Sequence, residues 1–234
     1  MIPDQPPPYG TIVFDCDSTL SSIEGIDELA SAEPEAVAEL TRLAMEGVVP
    51  LDEVYGKRLE MIQPTHAALE RVSARYIEEL VPGIREVFEV LHAANKRLVI
   101  VSGGLLPAVA AVGAELGVAS EDTHAVGITF DANGDYAGFE SESPLARSGG
   151  KLDVLKGIAE APGAGQVALV GDGVTDLEAL PVISRFLAWG GVIHRDEVHE
   201  RSACSCDGPD ARQMLRYLLS DSELADYSPE DYNV

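Results

Sequence analysis

Positive charge is what this chain has least of. Sixteen Lys and Arg stand against forty Asp and Glu, a formal net charge of −24. Such a surface repels nucleic acid phosphates and anionic lipid, which excludes both as expected partners. The surplus fits a strongly hydrated, soluble surface, or a salty cytoplasm whose ions screen the self-repulsion. Cysteine is nearly as scarce, with Cys16, Cys204 and Cys206 the whole supply. Three cysteines make no disulfide framework and fit a reducing compartment. Long apolar runs are also missing. The longest uncharged stretch, Leu98 to Ala114, is interrupted by Gly103, Gly104 and Pro107, and reads as strand, glycine turn and helix rather than a membrane span. The opening MIPDQPPPYG has neither a basic segment nor an apolar one, so it reads as an arm and not a signal peptide. A soluble, cytoplasmic protein is expected, as a monomer or homodimer.

What is present is organised around TIVFDCDSTL, Thr11 to Leu20. Thr11 to Phe14 is apolar and β-branched without Gly or Pro, the signature of a buried strand. Asp15 and Asp17 follow at once, then Ser18 and Thr19. Carboxylates at the end of a buried strand must offset their desolvation with a cation, donors or water. From Ser21 to about Ile77 the apolar spacing is helical: Ile26, Leu29 and Ala30 on one face, Val37, Leu40, Thr41 and Ala44 on another, then Val54, Leu59 and Ile62. Pro34, Gly47 to Pro50, and Pro64 mark the turns between these helices. The block is too long for a simple crossover and reads as an inserted helical cap, residues 21–77.

Beyond Pro82 strands and helices alternate. A helix from about Gly83 to Asn95 leads into RLVIVSGG, a strand ending at Ser102, and another helix spans Pro107 to Leu116. Thr123 to Glu140 alternates around Asn133-Gly134, a strong hairpin signal. A helix from Lys151 to Glu160 precedes the strand of QVALVGDG, and RFLAW and SACSC read as short closing strands. The repeat predicts an α/β fold: a doubly wound, mostly parallel sheet over residues 10–20 and 78–220, with arms at 1–9 and 221–234.

Four polar clusters fall just past strands or at helix starts: Asp15/Asp17/Thr19, Ser102-Gly103-Gly104, Lys151, and Gly171-Asp172-Gly173-Val174-Thr175-Asp176. In a parallel sheet they converge on one crevice. An all-oxygen set of carboxylates favours Mg²⁺ over zinc. Ser102 and the glycine amides after it can donate to phosphate oxygens, and Lys151 adds a point charge for the same anion. A nucleotide P-loop at Gly150-Lys151 is ruled out, since Leu145 and Leu152 stand where Gly and Ser/Thr are needed. His194, His199, Cys204 and Cys206 lie within a short span. Five-residue spacing on one helix would put the two rings on different faces, and the cysteines belong to a strand. No zinc site is expected from them.

Asp-x-Asp-x-Thr, a Ser after an apolar strand, a Lys, then Gly-Asp-Gly-x-x-Asp, in that order, resembles the haloacid dehalogenase-like phosphohydrolases. FDCDSTL, EGIDELA, RLEMIQP, VSGG, NGDYAGF, RSGGK, GDGVTD and WGG are similar to the phosphoserine-hydrolysing branch of that family. Trp189 stands where phenylalanine is more usual. The resemblance implies Asp15 as nucleophile, forming an aspartyl-phosphate, and Asp17 as acid and base. It implies Mg²⁺ on the Asp15 carboxylate, the Asp17 backbone carbonyl and Asp172, with Asp176 orienting Lys151 or a metal-bound water. Ser102, Gly103 and Lys151 would hold the phosphate. Glu24 and Arg58 would read the ammonium and carboxylate of phosphoserine, with Thr175 and Met45 beside it. Transfer of the phosphoryl group to another alcohol such as homoserine, a different small phosphomonoester, and a catalytically dead sensor are the alternatives.

Overall fold

The computed structural model describes residues 8–30, 34–46 and 48–227, apart from the side chain of Met45. Its centre is β1 (Tyr9–Phe14), whose Ile12, Val13 and Phe14 are wholly buried. Four helices follow: α1 (Gly25–Leu29), α2 (Pro34–Met45), α3 (Leu51–Ile62) and α4 (His66–Glu78). Then come α5 (Ile84–Ala93), β2 (Arg97–Leu105), α6 (Leu106–Glu115) and β3 (Thr123–Val126). The antiparallel ribbon of β4 (Ile128–Phe130) and β5 (Tyr136–Phe139) stands apart from the main sheet and turns at Gly134, which has φ +84°. The chain closes with α7 (Gly150–Glu160), β6 (Gln166–Gly171), α8 (Val174–Leu177), β7 (Arg185–Trp189), α9 (Asp196–Arg201), β8 (Ser205–Cys206), α10 (Leu215–Leu218) and α11 (Asp221–Leu224).

The main sheet has the order β3-β2-β1-β6-β7-β8, and every pairing in it is parallel. Parallel strands buried on both faces explain why TIVF, RLVIV and QVALV read as unbroken apolar runs. Phe14 lies level with Ile100 of β2 on one side and with Val170 of β6 on the other. The chain leaves β1 toward β2 and β3, then returns to its other side with β6. Ligands gather outside the carboxyl ends of strands at such a switch point.

Some boundaries differ from the sequence reading. β2 continues through Ser102 to Leu105, so Ser102 sits inside a strand and does not cap the next helix. Only β4 and β5 form the hairpin, because Thr123–Val126 joins the main sheet beside β2. Tyr9, placed in an arm by composition, is buried in β1, and its carbonyl accepts a hydrogen bond of 2.9 Å from Lys96 Nζ. Residues 228–234 lie outside the described residues, and the start of the segment 221–234, expected to be an arm, forms α11 at Asp221–Leu224. Lys96 pairs with Glu223 there, and the Tyr227 hydroxyl donates to the Val90 carbonyl. A tail carboxylate finds a buried cation, which composition does not show. No helix among the described residues is long and apolar enough to cross a membrane.

Gly150 is the tightest of the contacts that place α7. A Cβ there would meet the Pro144 carbonyl oxygen at 1.6 Å, so any side chain must push the helix away from the Pro144–Ala146 turn. Gly150→Ala is expected to cost on the order of 1–3 kcal/mol, as overpacking does, read from urea unfolding. Unchanged stability would mean that the turn yields freely.

Candidate active site

The segment after β1 winds tightly. The Cys16 carbonyl accepts N–H groups from Thr19, Leu20 and Ser21, and Ser18 takes a left-handed φ of +51°. This coil sets Asp15 and Asp17 on one pocket wall. That pocket is also lined by Glu24, Ile26, Leu51, Arg58, Gly103, Gly104, Leu145, Lys151, Asp172 and Thr175. The residues come from adjacent strand ends and from the helices after β1, as the parallel order requires.

Asp15 is buried and held at both oxygens. Oδ1 accepts the Cys16 N–H at 2.7 Å, and Oδ2 lies 2.6 Å from Lys151 Nζ. Lys151 is equally close, 2.6 Å, to Asp176 Oδ1, while Asp176 Oδ2 accepts the Gly173 N–H at 3.0 Å. Burial works against the Lys151 charge, but Asp15 and Asp176 outweigh it and hold its pKa above the ordinary lysine value. Asp17 accepts hydrogen bonds from the Tyr76 hydroxyl, the Gly25 N–H and Ser102 Oγ. Burial raises its pKa and the charge of Asp15 adds to that, against the three donors.

Asp172 is nearly inaccessible. Oδ1 accepts the Thr19 hydroxyl at 3.2 Å, and Oδ2 takes Arg195 Nε and Nη2 at 3.1 and 3.0 Å. Burial lifts its pKa to about 6, with Arg195 opposing and Asp15 assisting. Asp176 is pushed to about 7 by burial against the pull of Lys151. Carboxylate oxygens of Asp15, Asp172 and Asp176 all lie within 4.8 Å of one another. Buried carboxylates this close, two of them, Asp172 and Asp176, with pKa values raised by desolvation and neighbouring carboxylates, make an oxygen-only set short of positive charge. A hard divalent cation fits it.

Glu24 shares the pocket. It accepts Ser18 Oγ at 2.7 Å, lies 3.8 Å from Arg195, and has a pKa well above the glutamate value through burial and the charges of Asp17 and Asp172. Arg58 is 3% exposed. Its Nη1 donates to Thr41 Oγ1 at 2.8 Å, the Thr41 hydroxyl donates on to Asp27, and Arg58 Nε is buried without a partner. Thr175 is buried at the start of α8. Gly103 gives its carbonyl to the Tyr55 hydroxyl, while the Gly104 N–H is already engaged by Ser102 Oγ at 3.0 Å, contrary to the expectation that it waits for an anion. The side chain of Met45 lies outside the described residues.

Sequence reasoning missed Tyr76 and Arg195. Tyr76 is fully buried on α4 and reaches Asp17 only because residue 25 is glycine. A Cβ there would sit 1.9 Å from the Tyr76 hydroxyl. The usable signal was a tyrosine on the apolar stripe of a helix, since a buried phenol needs a partner. Arg195 stands in a loop before α9, where a lone arginine has no periodic context to flag it.

Residues 12–181 match the haloacid dehalogenase-like hydrolase family. Phosphoserine phosphatases of Bos taurus and Homo sapiens are 39% and 38% identical to this chain over 193 residues, covering 82% of it and 86% of each relative. Among solved structures, a phospho-aspartyl intermediate analogue of phosphoserine phosphatase superposes with a TM-score of 0.79 at 25% identity, over 91% of this chain and 100% of the other. A substrate-bound phosphoserine phosphatase complex gives 0.79 at 25%, over 90% and 99%.

A carboxyl whose pKa is higher folded than unfolded stabilises the fold below its unfolded pKa and loses that contribution as pH rises through the folded one. For Asp172 the window runs from about 4, the unfolded carboxyl value, to about 6. Asp172→Asn is therefore expected to stabilise the metal-free protein at pH 7 by about 1–3 kcal/mol. The gain should vanish below about pH 4. Urea titrations in chelator at both pH values measure this, and a loss of stability at pH 7 would contradict it.

Proposed function

The chain belongs to the haloacid dehalogenase-like hydrolases, and on that premise we propose that it hydrolyses O-phospho-L-serine to L-serine and phosphate. The observation that carries the reading is one pocket holding Asp15 against Lys151, 2.6 Å apart, with Glu24 and Arg58 on its walls. The first pair suits a phosphoryl group. The second suits the two charged ends of an amino acid, since a carboxylate holds ammonium and a guanidinium grips carboxylate with two parallel bonds. The phosphoserine phosphatases at 38–39% identity support the same substrate.

Asp15 attacks phosphorus in line with the ester oxygen, forming an acyl phosphate as the P–O(serine) bond breaks. Asp17, kept protonatable by burial, gives its proton to the departing alkoxide. It then takes one from the water that opens the acyl phosphate, so the same carboxyl serves both steps. Lys151 stays charged between Asp15 and Asp176 and neutralises phosphoryl oxygens, while Asp176 fixes its direction. Ser102 adds a hydroxyl at the Asp17 side. Asp15, Asp172 and the Asp17 backbone carbonyl would hold Mg²⁺, which supplies a further positive charge at the phosphoryl oxygens.

Glu24 lacks a strong cation and Arg58 Nε lacks any partner. A bound ammonium and carboxylate would satisfy both, which is how the pocket selects an amino acid over a plain phosphate ester. We assign the reaction to the cytoplasm, a reading supported by free Cys16, Cys204 and Cys206.

Asp15→Asn is expected to cut turnover of phosphoserine by at least about 10⁴-fold, as loss of a nucleophile does. Glu24→Gln and Arg58→Ala should each lower kcat/KM for phosphoserine by about 10- to 100-fold. An aryl phosphate, which has no ammonium or carboxylate, should be nearly unaffected. Phosphate release on both substrates decides it, and equal losses on the two would remove the amino-acid reading.

A further inference from the structure

Away from the pocket a second group of ligand-type side chains meets. His194, His199 and Asp207 bring a ring nitrogen or carboxylate oxygen each within 4.8 Å of one another. The rings stack, with centroids 3.9 Å apart. Helical spacing argued against this meeting, but α9 begins only at Asp196, so His194 lies in the loop before it and is free to fold back over His199. The third member is Asp207 and neither of the cysteines, because β8 ends at Cys206 and its parallel register sets Trp189 beside Cys206. The next residues, Gly190 and Asp207, then face one another.

The geometry of each ring bears on what belongs between them. His199 Nδ1 lies 3.0 Å from the Arg195 carbonyl oxygen. A carbonyl only accepts, so Nδ1 carries the proton and donates it, and a neutral ring presents its lone pair at Nε2. That Nε2 is 2.7 Å from Asp207 Oδ1 on a side chain only 9% exposed, yet it has no hydrogen-bond partner. His194 Nδ1 is hydrogen-bonded to the same Oδ1 at 3.0 Å, and its Nε2 lies 3.3 Å from Asp196 Oδ1. Both rings thus turn one nitrogen to Asp207 and rest the other on an oxygen acceptor. Outer oxygen partners of this kind fix the tautomer of metal-ligating histidines. Two stacked rings that both carried a second proton would repel each other. Gly190 closes the back of the cluster: a Cβ there would lie 2.1 Å from Asp207 Oδ1 and 2.9 Å from His199 Nε2.

We propose that His194 Nδ1, His199 Nε2 and the Asp207 carboxylate form a binding site for a divalent transition-metal ion of the zinc class, separate from the carboxylate pocket. Imidazole nitrogens select such ions over Mg²⁺. His194 and Asp207 are about half exposed, so water completes the coordination and the ion enters from solvent. The ion ties the end of β8 to the loop and helix on either side of Arg195. The proposal does not rest on the reaction assigned above.

Equilibrium dialysis of the full chain against Zn²⁺, with Mg²⁺ saturating so that the carboxylate pocket is filled, tests it. About one Zn²⁺ per chain is expected, and His194→Gln, His199→Gln and Asp207→Asn should each weaken binding at least about tenfold. His194 and Asp207 are exposed enough that their variants should fold, which circular dichroism checks, so the test does not depend on the buried His199. Co²⁺ in place of Zn²⁺ should give ligand-field bands without a thiolate charge-transfer band. No bound Zn²⁺, binding unchanged in the His194 and Asp207 variants, or a cobalt–thiolate band implicating Cys204 or Cys206 would each overturn the site.

Discussion

Negative charge buried at the carboxyl edge of the sheet is the constraint on which the molecule turns. Asp15, Asp17, Asp172 and Asp176 converge where β1 and β6 end, with Glu24 beside them. Desolvation penalises each, and their mutual repulsion adds to it. Lys151 bridges Asp15 and Asp176, and Arg195 neutralises Asp172. The compensation is incomplete, as the raised pKa values of Asp172 and Asp176, about 6 and 7, show. The shortfall leaves the pocket receptive to added positive charge. Strained compensation of this kind marks functional sites more often than structural ones.

The helices after β1 answer to the same charges. Tyr76 on α4 and the Gly25 N–H of α1 both donate to Asp17, and Tyr55 on α3 donates to the Gly103 carbonyl on β2. Arg58 is steered through Thr41 to Asp27. Cap-like helices and sheet therefore share hydrogen bonds at the reacting end of the pocket. The position of Arg58 is set by α1 and α2 as much as by its own helix. Moving α3 from the sheet would break the Tyr55 bond, and moving α4 would break the Tyr76 bond to the Asp17 carboxyl.

Much of this was legible in the chain itself, for reasons that particular residues make plain. Strands buried on both faces must be continuously apolar, so Thr11–Phe14 and Val167–Val170 announce themselves, and the polar residues after them fall at strand ends by necessity. Lys151, Asp172 and Asp176 then meet Asp15 because parallel order leaves them nowhere else to go. Tyr76 was legible only as a buried phenol in want of a partner, and Arg195 not at all. One hides in an apolar stripe and the other in a loop, and each is fixed by a contact more than twenty residues away in sequence. The stacking of His194 on His199 was not foreseen, because one helix was taken to carry both residues. A lone aspartate among forty acidic residues drew no notice until the β7–β8 register set it opposite Gly190.

The charge imbalance of the sequence persists on the surface when the buried charges are set aside. Arg58, Lys96 and Lys151 are buried, and Arg195 is 11% exposed, so a quarter of the sixteen basic residues face inward. Asp15, Asp172 and Asp176 are buried with them, so the exterior that an anionic ligand meets stays strongly negative. Long-range attraction therefore cannot draw a phosphate monoester to this pocket, as it does in enzymes whose clefts are ringed by positive charge. In the assignment proposed above, recognition comes from short-range contacts that act after the ligand has entered: Lys151 against phosphate, Arg58 against carboxylate, Glu24 against ammonium. A zwitterionic phosphate such as phosphoserine suits those terms better than a bare dianion. Its ammonium group is attracted by the field that repels its phosphate, and it arrives carrying the counter-charge that Glu24 lacks.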